Sequence, residues 1–530
     1  MTTCQGVLLD TVSIQGYIFQ SNELKENVGA SYIIENLVYG DYLKEAVGYV
    51  LPSFQVDLEE WKKPPFAMKS CDPFEIGYIG GGNALLLFGK EEHAKAFIRR
   101  WTRILMVKAP QVITAVALDI FDLDSFQGSK RRLFNQLRTN KLRFSPQTVI
   151  PAHGITAECT RSGLSQNIQN DQVKAYVSAA SHARIQAGKT ARKKIDKTYQ
   201  NIIKDKFTFT NDFSKLGQIE GEDSHIAIVH IDGNDIGEYF SNPEINSLPM
   251  MRENSVMIDE ITRSAFKSLV SYIVDNYPKI MDSLGFDNHS KNPSRWYPID
   301  EEDEEKRRII PIRPIILSGD DVTFICDGKL GIYFAEKFIH FFENEDKNKR
   351  LAITACAGIA IIKTKYPFFR GYCLAEELCR NAKNVRKNED QKCSYLDFHI
   401  ATGAIAGFLD DIRRIHFKAP MGRLHCRPYR MDQEYQDEKS FSLLVDNAKK
   451  LKKDFPQNKR HELREVITMN EAAKDQFLAE IKARKRALPG IPGKPLFENN
   501  LFDSVMESGK EISATPYLDM IELIQYYPFL

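Results

Sequence analysis

Two apolar, β-branched runs that each end in acid constrain this chain more than any other feature. The first is His225-Ile-Ala-Ile-Val-His-Ile-Asp-Gly-Asn-Asp-Ile-Gly237 and the second is Ile315-Ile-Leu-Ser-Gly-Asp-Asp-Val-Thr-Phe-Ile325. Short runs rich in Ile and Val, bounded by Gly and Asp, predict buried strands that stop at a turn. Asp232 then stands at a strand end beside a Gly turn. Asp320 and Asp321 stand on a hairpin whose two strands are apolar on both sides. Neighbouring side chains on a strand face opposite ways, but in a turn both can reach one ion. Adjacent carboxylates repel unless a cation or a proton compensates them. Oxygen ligands in this arrangement suit two divalent cations, Mg²⁺ or Mn²⁺, which can activate a hydroxyl and carry the charge of a triphosphate.

Around these motifs one order of elements occurs twice. Gly6 to Phe19 predicts a strand with its exit turn, and Asn22 to Val50 a helical stretch. Phe74 to Phe88 predicts a hairpin around Gly80-Gly-Gly-Asn83, Glu91 to Met106 a helix, and Val112 to Asp119 a strand. In that helix Ala94, Phe97, Trp101 and Leu105 fall on one face. After residue 220 come a strand (Ile226 to Ile231), a helix (Ser255 to Tyr277), the acidic hairpin (Ile315 to Cys326), a helix (Leu330 to Phe342) and a strand (Leu351 to Ile362). A helix (Phe368 to Lys387) and a closing strand (Tyr395 to His399) follow. Repetition of an α/β unit at this scale predicts two copies of one fold packed as a pseudo-dimer. The boundaries read as 1–125 for the first copy, 126–220 for a mostly helical basic linker, 221–405 for the second copy and 406–530 for a helical C-terminal region.

The linker carries nine Lys or Arg between Asp171 and Lys206. That stretch fits a solvated helix bridging domains better than a grip on RNA, because only Tyr176 and Tyr199 are available for base stacking. Residues 286–309 read as a polar, mobile insertion containing the acidic run Asp300 to Glu305. The C-terminal region reads as helices over Phe441 to Lys453 and His461 to Arg486, a breaker at Leu488-Pro-Gly-Ile-Pro-Gly-Lys-Pro495 and a short tail.

Several function classes are excluded. The net charge is +1, so any affinity for nucleic acid or membrane must come from local charge. The nine cysteines are scattered, with no Cys-x-x-Cys pair, which argues against a disulfide framework or a structural zinc and for a reducing compartment. No His-Glu-x-x-His, Gly-x-Ser-x-Gly or Walker-type loop occurs. Neither a signal sequence nor an apolar run of membrane-spanning length is present, so the expectation is a cytoplasmic protein with no membrane partner.

Further candidates surround the carboxylates. Gly233, Asn234 and Asp235 form the turn after Asp232, whose backbone N–H groups are candidates to cradle phosphate oxygens. Ser318 and Gly319 lead into the Asp pair. Lys383 shares a helix face with Arg380 and Lys387 at i, i+3 and i+7, opposite Leu374 and Leu378, and is a candidate to steady a polyphosphate. Each fragment taken alone also reads as an ordinary turn or a solvated helix face.

Together the residues resemble one family. Asp232-Gly233 and Ser318-Gly-Asp-Asp321 are similar to the metal-binding motifs in the second palm of the polymerase-cyclase subunit of type III CRISPR effector complexes. Ala357-Gly358, Pro367, Ala375-Glu376 and Lys383 are similar to that palm's following strand and helix. Asp10 to Ser31, with Leu24-Lys-Glu-Asn-Val-Gly-Ala-Ser31, resembles its first palm, and Glu158-Cys-Thr-Arg-Ser-Gly163 the stretch between palms. The resemblance implies two ferredoxin-like, GGDEF-like palms and a metal-dependent nucleotidyltransferase or cyclase. It further implies nucleoside triphosphate as substrate, ATP favoured, and a 3′–5′ linked, often cyclic, oligoadenylate or a cyclic nucleotide as a defence signal. Its implied partners are RNA or CRISPR-like effector subunits.

The chain also departs from the family. Gly80-Gly-Gly-Asn83 stands where an active first palm carries an Asp pair, so the first palm is expected to complete the nucleotide pocket without catalysing. Cys159 stands alone where the family has paired zinc cysteines. No HD nuclease counterpart precedes the first palm, which fits a stand-alone relative. The rival expectation is a non-catalytic, palm-derived scaffold that binds RNA or a nucleotide.

Overall fold

Alternating β-branched and apolar residues build two sheets of the same design. In the computed structural model the described residues are 3–143, 154–217, 224–284, 306–345, 352–389, 392–401, 407–432, 437–490, 500–507 and 509–530. The acidic run and most of the 286–309 insertion lie outside them. Of that insertion, Arg308–Ile309 is a short strand parallel to Phe207–Thr208. The chain divides into two compact units, one of residues 1–200, 235–263 and 315–320, the other of 201–234, 264–314 and 321–530.

In the first unit, strands β1 (Thr3–Thr11), β2 (Phe74–Gly80), β3 (Asn83–Phe88) and β4 (Thr114–Asp122) form a sheet in the order β2-β3-β1-β4. Its helices are α1 (Leu24–Tyr32), α2 (Tyr42–Val50), α3 (Glu91–Lys108), α4 (Phe126–Lys141) and α5 (Ala179–Thr198). A π-helical stretch, Ile33–Asp41, joins α1 to α2. The apolar face expected on α3 is buried through Ala94, Phe97, Trp101 and Leu105. The Trp101 indole donates to the Val38 carbonyl at 3.0 Å, which satisfies its one polar atom.

The basic linker differs from expectation. A hairpin of Ile168–Asn170 and Ala175–Val177 precedes α5, and α5 is packed through Ala180, Ile185, Ala187 and Ala191. Arg184 is buried as well, over the Tyr17 ring and donating to Gln20 and Gln111. Amphipathic packing, invisible in a simple count of charges, makes this helix part of a core. Cys4 and Cys71 form a disulfide and the other cysteines are free. The scattered cysteines argued against a disulfide framework, and a single bridge is present, joining Cys4 on β1 to Cys71 just before β2 across 67 residues of chain.

A second sheet is formed by β5 (His225–Gly233), β6 (Ile312–Ser318), β7 (Asp321–Asp327), β8 (Ala355–Lys363), β9 (Tyr395–Ile400) and β10 (Tyr429–Arg430) in the order β6-β7-β5-β8-β9-β10, and its strands belong to the second unit apart from residues 315–318 of β6. The first four positions repeat the order of the first sheet, which is the expected duplication of a palm. Helix α6 (Leu248–Asp275) begins in the first unit and ends in the second, and helices α7 (Gly331–Glu345) and α8 (Phe368–Asn388) belong to the second. Strand β8 runs parallel to β9, so α8 serves as the crossover between them. Every residue of β8 except Lys363 is buried, as expected for a strand covered on both faces.

The C-terminal region is less purely helical than expected. Besides the helices Leu409–His416, Phe441–Asp454, Gln457–Val466, Glu471–Ala483 and Tyr517–Tyr526 it holds a four-stranded sheet of Lys418–Ala419, Gly422–Arg423, Asp503–Glu507 and Lys510–Ala514. The helix expected over His461 to Arg486 is two helices, because Asn470 starts the second by accepting from the Ala473 N–H. The breaker beyond Gly490 lies outside the described residues. The expected tail is ordered: Asp519 is buried and accepts from Arg427 Nε and the Cys426 N–H, both at 2.8 Å. Among the described residues no helix is long and apolar enough to cross a membrane.

One glycine sets the seat of α8. A Cβ built on Gly358 of β8 would stand 2.0 Å from the Ala375 carbonyl oxygen and 2.3 Å from the Cys379 nitrogen, both helix backbone. Backbone cannot rotate away as a side chain can, so α8 would have to lift. Gly358→Ala is therefore expected to destabilise the protein by about 1–3 kcal/mol, the usual cost of overpacking. Urea unfolding followed by circular dichroism measures this, and an unchanged midpoint would refute the seating argument.

Candidate functional site

The second sheet builds its site from strand register. Antiparallel pairing of β5 with β7 places Asp232 directly opposite Asp321, with Ile231 opposite Val322 one step inward. Opposed residues share a sheet face, so the two carboxylates emerge side by side where the apolar run stops. Asp320 lies in the turn between β6 and β7. The side chains of Asp232 and Asp321 are 38% and 27% exposed, so they are within reach of solvent at the sheet's end.

His230 belongs to the same face, two residues before Asp232, and was not singled out in the sequence. Its Nδ1 lies 3.1 Å from Thr323 Oγ1 and 3.5 Å from Asp321 Oδ1, and its ring packs edge-on against Tyr372. Burial lowers its pKa and outweighs the opposing pull of Asp232 and Glu376. It is therefore disfavoured as a cation, and it stands beside Asp321 while hydrogen-bonding to Thr323. The period-2 alternation of the strand was the signal that could have found it.

Lys383 comes to this face from α8. Its Nζ lies 2.7 Å from Asp232 Oδ2 and donates to the Gly233 carbonyl at 2.8 Å. Burial works against its charge, but the Asp232 carboxylate prevails and raises its pKa. The shared basic face divides in space. Arg380 is exposed and pairs with Glu376 one turn away, while Lys383 is turned toward the strand end. Leu374 and Leu378 are buried as expected.

The turn residues are placed as follows. Gly233 faces Ala355 in the ladder. The Asn234 N–H donates to the Thr354 carbonyl at 2.8 Å and its amide to Thr354 Oγ1 at 2.9 Å. Asn234 thus pins the turn to the strand beside it. Asp235 adopts a left-handed conformation (φ 61°) and begins a six-residue helix, Ile236–Ser241. Ser318 Oγ accepts from the Gly81 N–H at 3.3 Å, and the Gly319 carbonyl accepts from the Thr262 hydroxyl, all within the first unit.

The first sheet repeats this geometry with one acid missing. Asp10 stands opposite Asn83 in the β1–β3 register, the counterpart of Asp232 opposite Asp321. The hairpin glycines Gly81 and Gly319 share a left-handed φ of 58° and 60°. Lys141 Nζ lies 2.5 Å from Asp10 Oδ2. Lys141 and Lys383 each sit fifteen residues past the phenylalanine that starts its helix, Phe126 or Phe368. Lys141 was not identified from sequence; aligning the two helices on those phenylalanines was the available signal.

The donor set fits a hard divalent cation. Asp232, Asp321 and the Gly233 carbonyl are all oxygen donors, the chemistry Mg²⁺ and Mn²⁺ prefer. Among the described residues no group of three or more His, Cys, Asp or Glu converges. Two carboxylates are nonetheless adequate for Mg²⁺, which commonly keeps waters and takes substrate phosphates as its remaining ligands.

Part of the chain is similar to known proteins. Residues 225–391 match the family model described as Cas10/Cmr2, second palm domain. No curated protein matches the chain. The structure of Csm1 in T. onnurineus is similar with a TM-score of 0.50 at 12% identity, covering 99% of this chain and 69% of that one. The Csm1–Csm4 cassette in complex with cA3 gives 0.46 at 12% identity, covering 99% and 70%, and the cassette in complex with pppApA gives 0.43 at 11%, covering 99% and 69%. At these identities the likeness is one of fold. The chain thus carries, over residues 225–391, a domain that matches the second palm of the Cas10/Cmr2 family, on a fold similar to that of Csm1.

Proposed function

We propose that this chain is a divalent-metal-dependent nucleotidyltransferase whose second palm joins ATP into a 3′–5′ linked, cyclic or linear, oligoadenylate or a cyclic nucleotide, as a signal in antiviral defence. The observation that carries the reading is the opposition of Asp232 and Asp321 with Lys383 on the same strand end. The family match of residues 225–391 supports the choice of chemistry and substrate class. The partners proposed are ATP and, by the same family likeness, RNA or effector subunits.

Asp232, Asp320 and Asp321 would hold two Mg²⁺ or Mn²⁺ ions. Bound there, the ions supply charge neutralisation for the triphosphate and lower the pKa of an attacking 3′ hydroxyl. Asp232 now has Lys383 on it at 2.7 Å. With a divalent cation held by that carboxylate, Lys383 would be released on its flexible four-carbon stem to donate to β- and γ-phosphate oxygens. His230, neutral through burial, holds its place beside Asp321 without adding a positive charge that would repel the metals.

The first palm lacks the second carboxylate and serves as a non-catalytic copy. Asn83 is neutral, and Lys141 already compensates Asp10.

Three outcomes follow. Changing Asp320 and Asp321 together to Ala abolishes turnover, a loss on the order of 10³-fold or more, while leaving the melting temperature near that of the parent. Incubation of the purified chain with each nucleoside triphosphate and Mg²⁺ or Mn²⁺, with products identified by mass spectrometry, tests this. Undiminished synthesis by the double variant would sink the assignment.

Lys383→Ala weakens triphosphate binding by about 1–3 kcal/mol, the range for a charge-assisted hydrogen bond. Lys387→Ala serves as the control. Titration calorimetry of both variants decides the point, and equal, negligible losses would remove Lys383 from the phosphate site.

Asn83→Ala leaves turnover within a few-fold of the parent. A variant as inactive as the Asp320/Asp321 double change would show that the first palm takes part in the chemistry.

A further inference from the structure

Three C-terminal helices enclose a basic cleft that the palm chemistry does not use. Helices Phe441–Asp454, Gln457–Val466 and Tyr517–Tyr526 border a cavity of about 260 Å³. Its titratable lining is all basic: Lys452, Arg460, His461 and Arg464 contribute and no carboxylate does. The chain as a whole is nearly neutral, so this is a local concentration of charge. Lysines 449, 450 and 453 are exposed on the neighbouring turns, together with Asp446 and Asp454.

Internal partners account for only part of that charge. Lys452 Nζ donates to the Leu530 carbonyl at 2.7 Å, and Arg464 acts on the buried Glu522 carboxylate. Arg460 is different: its Nε is buried and finds no acceptor among the described residues. A buried guanidinium N–H without an acceptor is costly, and an anionic oxygen is its best complement. The first turn of Gln457–Val466 adds to the same field. It contains no acidic residue, and its N-cap, Pro456, offers no side-chain acceptor, so that among the described residues only the Lys459 N–H gains a side-chain partner there, Asn458 Oδ1 at 2.9 Å.

The opposite wall has another character. Ile521 and Ile524 supply apolar surface and Gln525 an amide that can both donate and accept, while Gln457 adds a second amide from the basic helix itself. The volume of about 260 Å³ lies just below that of ligand pockets, which run from roughly 300 to 1,000 Å³, so the cleft suits no more than one small molecule. Cations on one side and an apolar, amide-bearing wall on the other fit a phosphate with an organic group attached.

We infer that this cleft is a second anion site that binds a small phosphate ester of nucleoside-monophosphate size, with Arg460 and His461 on the phosphate and Ile521 and Ile524 against the organic group. The site is separate from the palm and requires no divalent metal.

The test uses the full chain in buffer containing EDTA, titrated calorimetrically with AMP and with inorganic phosphate. One AMP is expected per chain, bound several-fold more tightly than inorganic phosphate. Arg460→Gln is expected to weaken AMP by about tenfold, the scale of one charge-assisted contact. The Asp232→Ala/Asp321→Ala variant is expected to bind AMP as the parent does, which keeps this site distinct from the catalytic proposal. AMP is also expected to slow carbethoxylation of the exposed His461 in the unmodified sequence, a readout that does not depend on how Arg460→Gln folds. Absence of binding and of protection at millimolar AMP would overturn the inference, as would an unchanged affinity in Arg460→Gln. Loss of AMP binding in the palm variant would move the ligand to the palm and overturn it equally. Affinities equal for AMP and inorganic phosphate would overturn the role of the apolar wall.

Discussion

Everything at the second palm's strand end depends on the antiparallel register between β5 and β7. A strand has a side-chain period of two, so a slip of one residue would send Asp232 and Asp321 to opposite faces. The register is held by the apolar residues behind the acids. Ile228 faces Ile325 and Ile231 faces Val322, and all four are buried. A slipped pairing would put those side chains out of step with the helices that cover them. Burial of hydrocarbon thus fixes the relative position of two charges that would otherwise repel, and the half-exposed sheet end lets solvent or a cation moderate that repulsion.

The lysine that answers those charges is delivered by packing of a different kind. Strand β8 carries glycine at 358, and the backbone of α8 lies where any side chain would be. This close seat directs Lys383 to Asp232 and the Gly233 carbonyl, while Arg380 stays on the solvent side with Glu376. The first palm delivers Lys141 to Asp10 from the same position of the equivalent helix. The duplicated Lys–Asp pair is a property of the shared fold. The difference between the palms is concentrated at Asn83, where an amide replaces the acid that would complete a cation site.

The C-terminal region shows how buried charge serves position. Arg427 is fully buried and is paired with Asp519 and Glu522 on the helix Tyr517–Tyr526. Tyr429 also donates to Asp519. A buried arginine costs much desolvation and is tolerated only when its partners are complete. The network therefore holds that helix in one place, and the helix forms one wall of the basic cleft.

Sequence alone was enough for what is local. Period-2 apolar runs marked both palm sheets, helical spacing marked the buried face of α3, and acids at run ends marked Asp232 and Asp321, which the register sets opposite each other, because each signal lies within a dozen residues or so of chain. Tertiary structure decided what depends on distant segments meeting. Lys383 was a residue on an apparently solvated face until α8 packed against β8, and His230 gained meaning only with Thr323 and Asp321 beside it. The Cys4–Cys71 bond, the burial of Arg184 and the C-terminal sheet depended on the same thing. Strands as short as Gly422–Arg423 have no periodicity to read, and they exist because Lys510–Ala514, far along the chain, supplies their hydrogen-bonding partner. Local pattern reports which face of an element is apolar, whereas the free energy of packing chooses which other element covers it.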